Sequence, residues 1–169
     1  MDSIIITPKV GIGPFKLGMS EYEVKETFNA HDHWRRTNNA YNHSILEELF
    51  IKFEYDSNNT VKFIEMVNPS YAGVFHIPCL YNGIDVFTTK ASDLVSEINK
   101  ETSYNRDSES EMGFMYVFPE LQLAFWRENV ITEDLMNSED FLQMSQENQE
   151  LEKRYFYFTT VSIAVPGYR

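Results

Sequence analysis

The helix and strand signals of this chain come in the same order twice. A helix signal near residue 20 precedes two strands, and a second helix signal near residue 89 precedes three, of which the last two correspond to that pair. The offset is about 70 residues for the helices and for the first strand of each pair. For the second strands it is about 94, because the segment 128–152 intervenes. This order predicts an α+β fold of two tandem units, each a helix packed on an antiparallel sheet, over residues 1–75 and 76–169.

The first helix begins at a capping box. Ser20 precedes Glu23 by three residues, so each side chain can bond the other's backbone N–H. Met19 and Val24 flank the cap as a hydrophobic staple. The pattern predicts a helix over 21–29.

The second helix is predicted from its apolar stripe. Apolar residues recur at i, i+3, i+4 and i+7, which places them on one helix face: Ala91, Leu94, Val95 and Ile98. We expect Thr88 or Thr89 to cap it.

Alternating or β-branched runs predict the strands. In the first unit they are 49–55 and 61–67, which form a hairpin. In the second unit they are 114–118, 121–126 and a long final strand, 155–165. At 169 residues, the two units fit within one compact domain.

The start of the first helix resembles a known family. The residues Gly18-Met19-Ser20, with Val24 in the first turn, are similar to the helix start in the β-lactamase-inhibitor-protein-like fold family. The resemblance implies a helix followed by a curved antiparallel sheet, once or twice in tandem, and a habit of binding proteins. The second helix start, Thr88-Thr89-Lys90, lacks the Gly-Met step. The family's tandem inhibitors are disulfide-bonded and its lipoproteins need a lipidated cysteine, whereas this chain has one cysteine, Cys79.

Charge and composition limit the classes of partner. The chain has 14 basic and 26 acidic residues, a net charge of −12, which argues against nucleic acid and against anionic membranes. No apolar run approaches the ~20 residues of a membrane span. The first residues lack a signal-peptide pattern, and a single thiol suits a reducing compartment, so we expect a cytoplasmic protein.

The segment 128–152 carries the acidic excess. It has eight acidic residues and no Lys or Arg, and it is rich in Asn and Gln. This composition predicts a solvated excursion, helical in part from Ser138 onward, with Ser138 as a cap. We expect the segment and the neighbouring sheet face to contact the partner, through Glu133, Asp134, Glu139, Asp140, Trp126 and Tyr157.

Other motifs do not assemble a catalytic or metal site. His31 and His33 lie in a polar segment that predicts a solvated loop, and Cys79 suits a small buried side chain. We therefore expect no cofactor and no metal. The predicted function is a non-enzymatic protein-binding domain, such as an immunity-type inhibitor of a basic protein. The alternative is an enzyme or small-ligand-binding domain whose site comes from dispersed residues in the sheet concavity.

Overall fold

The computed structural model describes residues 3–31, 51–69 and 77–168. The helices are α1 (Glu21–Ala30), α2 (Ala91–Ile98), α3 (Ser108–Met112), α4 (Glu133–Met136), α5 (Glu139–Leu142) and α6 (Gln146–Glu152). The strands are β1 (Ile4–Thr7), β2 (Gly11–Ile12), β3 (Phe15–Lys16), β4 (Ile51–Tyr55), β5 (Val61–Val67), β6 (Cys79–Tyr81), β7 (Ile84–Asp85), β8 (Met115–Phe118), β9 (Leu123–Trp126) and β10 (Thr160–Ala164). The predicted α+β class is confirmed.

Both sheets draw strands from both halves of the chain. Sheet 1 has the order β3-β2-β1-β6-β7, and its β1–β6 pair is parallel. Sheet 2 has the order β4-β5-β10-β9-β8 and is antiparallel throughout. The β5–β10 pair joins the two hairpins at the centre of sheet 2. Helix-then-hairpin order recurs in the two halves, and the structural equivalence of the two units stays a prediction.

The start of α1 is the predicted capping box. The Ser20 hydroxyl accepts a 3.3 Å hydrogen bond from the Glu23 backbone N–H, and the Glu23 carboxylate accepts one of 2.8 Å from the Ser20 N–H. That second bond lowers the pKa of Glu23. The Gly18 N–H donates to the Val61 carbonyl at 2.7 Å, and the Val61 N–H donates to the Met19 carbonyl at 2.8 Å. These bonds fix the helix start against β5.

The predicted stripe of α2 is buried, but the predicted cap is wrong. Ala91, Leu94, Val95 and Ile98 are all buried. Lys90, not a threonine, occupies the N-cap position, and its side chain makes no capping bond. The Thr89 N–H instead donates to the carbonyl of Asp85, so this threonine closes a turn.

The main core lies on one face of sheet 2. Alternation puts Ile64 and Met66 of β5 on the same face as Val161 and Ile163 of β10, and all four are buried. This face packs with α1 and α2 in one hydrophobic cluster, to which β1 contributes Ile4 and Ile6. The opposite face, called the outer face below, carries Ala124, Trp126, Thr160, Ser162 and Ala164.

Two predicted strands are shorter than the sequence suggests. The final strand begins at Thr160 because Lys153–Phe156 forms a 3-10 helix. The Tyr155 ring is buried in a small cluster beside the main core, so this aromatic run does not lie in the sheet. Another 3-10 turn, Pro119–Leu121, removes Leu121 from β9. Positions 49–50 of the predicted first hairpin lie outside the described residues.

None of the helices in the described ranges is long and apolar enough to cross a membrane.

Candidate functional site

The acidic segment 128–152, called the insert below, is exposed over most of its length and has two buried side chains. Ile131, Phe141 and Tyr155 form a hydrophobic cluster and are each at least nine-tenths buried. Met136 and Phe156 pack against them. The insert is therefore solvated over most of its length, as predicted, and Ile131 and Phe141 attach it to Tyr155, which follows it in the chain.

Three side-chain caps divide the insert into short helices. Each hydroxyl accepts a hydrogen bond from the backbone N–H three residues on: Thr132 from Leu135, Ser138 from Phe141 and Ser145 from Asn148. The predicted cap at Ser138 is confirmed. The first turns of α4 and α5 each begin with an acidic pair, where a negative charge is favourable: Glu133-Asp134 and Glu139-Asp140.

Arg127 closes the base of the insert. Its side chain is buried, its Nε donates a 2.7 Å hydrogen bond to the Gly113 carbonyl and its Nη1 donates one of 3.0 Å to the Tyr155 carbonyl. Gly113 has a left-handed φ of 85°, and a Cβ there would lie 3.0 Å from the Arg127 Nη2. A glycine is therefore favoured at this left-handed position, where the backbone approaches the guanidinium.

Lys90 holds the insert against the start of α2. Its Nζ lies 2.9 Å from Oε1 of Glu133 and 4.9 Å from the centroid of the Phe156 ring. The hydrogen bond between the two charged groups lowers the pKa of Glu133 and raises that of Lys90. Both side chains are substantially exposed, so the pair contributes little to the stability of the fold.

The structure brings together only some of the six predicted partner-binding residues. Glu133 pairs with Lys90, and Tyr157 lies near enough to contribute to the raised pKa of that lysine. The register of β9 places Trp126 on the outer face of sheet 2, where it is 38% exposed.

The other three predicted residues are exposed acids on the surface of the insert. Asp134, Glu139 and Asp140 form no ion pair with any residue in the described ranges. The Glu139 carboxylate accepts a 3.1 Å hydrogen bond from the Gln143 amide. Their charge is therefore directed at solvent.

Exposed apolar side chains lie among these acids and were not predicted. Large side chains project from the insert at four positions: Leu135, Leu142, Met144 and Leu151. Inward and outward positions are adjacent in sequence, since Phe141 is buried while Leu142 is 62% exposed. The sequence indicates this by two adjacent apolar residues in each short helix, of which one can face inward and the other outward.

A small cleft lies on the outer face of sheet 2. It has a volume of about 90 Å³ and is floored by Ala124, Ser162 and Ala164, with Gln122 and Tyr168 among its walls. The described residues that line it carry no charge, so it offers hydrogen bonding and no acid–base pair. The described ranges also contain no group of His, Cys, Asp and Glu side chains able to hold a metal ion.

The structure describes His31 at the end of α1 and Cys79 in the core. His31 ends α1, and its Nδ1 lies 2.7 Å from the Thr27 carbonyl, while His33 lies outside the described residues. Cys79 is fully buried, which confirms the expectation of a small core side chain, and burial raises the pKa of its thiol.

The chain matches no protein-family model, no curated protein and no solved structure. Its function must therefore be argued from its own surface, and the resemblance of the Gly18-Met19-Ser20 helix start to the inhibitor-protein-like fold stays an expectation.

Proposed function

We propose that this protein acts without catalysis, by binding a basic protein partner as an immunity-type inhibitor does. The observation that carries the proposal is the uncompensated charge of the insert. Of its eight acids, Glu133 and Glu150 pair with Lys90 and Lys153. The other six form no ion pair within the described part of the chain: Glu128, Asp134, Glu139, Asp140, Glu147 and Glu152.

The charge is presented on an ordered platform. The Phe141 cluster and the Arg127 hydrogen bonds hold the insert against the rest of the fold. A partner that binds such a surface orders less chain than one that binds a loose acidic loop, so less conformational entropy is lost on association. Complementary charge also accelerates encounter and selects against acidic competitors.

The alternative function has one observation in its favour, the cleft over Ser162. Its volume suits a small uncharged ligand or a single partner side chain. Its lining lacks the paired carboxylates that acid–base catalysis needs, so binding is favoured over catalysis there as well.

Cross-linking capture from the source cell tests the proposal. We compare the wild type with a variant in which Asp134→Asn, Glu139→Gln and Asp140→Asn remove three charges of the insert. A matched control removes three exposed charges elsewhere through Glu26→Gln, Glu109→Gln and Glu120→Gln. We expect a basic protein to be captured by the wild type and the control and to be depleted with the insert variant. Equal capture by all three chains would contradict the proposal.

A further inference from the structure

We infer that the segment of the partner that contacts the insert is a basic amphipathic helix, whose apolar stripe docks on Leu135, Leu142, Met144 and Leu151. This inference rests on the proposed function and names the chemistry of the partner. The surface formed by these four side chains and the acids beside them is called the insert surface below.

The four apolar side chains of the insert surface take no part in the hydrophobic cluster that contains Phe141. Phe141 is 6% exposed, whereas Leu142 beside it is 62% exposed. Met136 packs on the cluster of the insert, whereas Leu135 beside it is 50% exposed. Each of the two helices thus turns one apolar side chain inward and the neighbouring one outward. Four of the nine large hydrophobic side chains found exposed in the described residues belong to this insert, and such a concentration is typical of an interaction site.

Contacts between the helices bring the segments that carry these positions close together. α4 contacts α5 directly. The Gln149 amide in α6 donates a 3.0 Å hydrogen bond to the Met144 carbonyl and a 3.5 Å one to the Leu142 carbonyl. This places α6, which carries Leu151, beside the end of α5.

Acidic residues flank the exposed leucines along the chain. Asp134 precedes Leu135, Asp140 lies two residues before Leu142, and Leu151 stands between two glutamates. Because these acids are exposed as well, an occupant that covers the leucines lies close to negative charge and gains affinity by carrying positive charge. Charge complementarity excludes an acidic segment and favours Lys and Arg.

A helix meets this requirement better than a strand does. In a helix, apolar residues at i, i+3, i+4 and i+7 form a stripe that Lys and Arg border on both sides. In a strand, alternating residues point to opposite faces, so alternating charges would point away from the leucines. The ordered elements of the insert are helices, so the insert offers no strand edge for an added strand.

Binding of designed peptides tests the inference. The probe is a fluorescent peptide of roughly 16 residues built from Leu and Lys, with leucines at the helical stripe positions. The comparison peptide has the same composition in strict alternation. We expect the stripe peptide to bind the full chain about tenfold more tightly than the alternating one, through its additional apolar burial. We expect this preference to persist at about 0.5 M salt, where screening weakens both affinities.

Variants of the chain locate the contact. Leu135→Ser combined with Leu142→Ser should abolish the preference for the stripe peptide. The control Tyr22→Ser, at a side chain 71% exposed on α1, should leave it unchanged. Circular dichroism checks that all three chains fold.

Equal binding of the two peptides, or an equal loss with Tyr22→Ser, would overturn the inference. Two further results would also overturn it: binding to phosphatidylcholine vesicles that the leucine variant abolishes, or a dimer in sedimentation that the same variant disperses. The proposed function would survive these results if the captured basic protein still depends on Asp134, Glu139 and Asp140. Loss of that dependence would contradict both the inference and the proposed function.

Discussion

Arg127 donates a 3.0 Å hydrogen bond from Nη1 to the carbonyl oxygen of Tyr155, across the two chain ends of the insert. The same guanidinium bonds the Gly113 carbonyl from Nε at 2.7 Å. One buried side chain thus joins the end of β9, the turn before β8 and the segment that leads into β10. Four predictions test the contacts that order this region and the fold around it.

Arg127→Met should lower the free energy of unfolding by about 2–4 kcal/mol, because two carbonyl oxygens lose a charged donor. Urea denaturation measures the loss. Arg106→Met is the control, since Arg106 is exposed and lies over the ring of Tyr104. If both variants lose equally little, Arg127 does not order the base of the insert.

Gly113→Ala should destabilise the fold more than Gly83→Ala does. Both glycines have a left-handed φ, 85° and 80°, so the backbone cost of about 1 kcal/mol is shared. Only at Gly113 does the added Cβ meet the Arg127 guanidinium, at 3.0 Å, whereas the space at Gly83 is open. Hydrogen bonds limit how far that guanidinium can shift, so we expect a further loss of roughly 0.5–1 kcal/mol. Equal melting temperatures for the two variants would contradict this prediction.

Phe141→Ala should open the insert while leaving sheet 2 closed. Phe141 belongs to the small cluster of the insert and not to the main core, so removal of its ring costs about 3 kcal/mol locally. Hydrogen exchange should accelerate in α4–α6 and stay slow in β10. The adjacent Leu142→Ala, at an exposed side chain, is the control and should change neither. Uniform acceleration throughout sheet 2 would show that the insert and the main core unfold together.

The free energy of unfolding should fall in alkaline solution, because Tyr81 loses its proton there. Burial and a 3.0 Å hydrogen bond to the Glu101 carboxylate raise the pKa of Tyr81 to about 12. A raised pKa means that the folded state retains the proton more strongly. This stabilisation is complete below the unfolded pKa of about 10 and is lost as the pH rises to about 12.

Two units of pKa correspond to roughly 2–3 kcal/mol over that range. Tyr81→Phe should flatten the decline in the free energy of unfolding between those pH values, because phenylalanine has no proton to lose. An identical decline in the wild type and in Tyr81→Phe would show that other groups cause it.

The sequence predicts correctly those features that depend on residues three or four positions apart. The Ser20–Glu23 capping box and the α2 stripe depend on spacings of three and four residues, and both are confirmed. The Ser138 cap is confirmed for the same reason.

The sequence could not show which distant residues meet. Glu133 pairs with Lys90, 43 positions earlier, and no local pattern indicates this contact. Tyr155 looked like part of a strand because aromatic residues favour sheets, yet its ring packs with Phe141 in the insert. The sequence does not single out Arg127, because no local pattern indicates that one arginine at the end of a strand is buried.

If the charge of the insert guides a basic protein to this chain, removal of that charge should slow their association. The most direct measurement is the association rate of the captured partner as a function of ionic strength, for the wild type and for the chain with Asp134→Asn, Glu139→Gln and Asp140→Asn. We expect the insert variant to associate about tenfold more slowly at low salt, and the two rates to converge as the Debye length falls below about 8 Å. The control with Glu26→Gln, Glu109→Gln and Glu120→Gln should follow the wild type. Equal rates at low salt for the wild type and the insert variant would contradict the account.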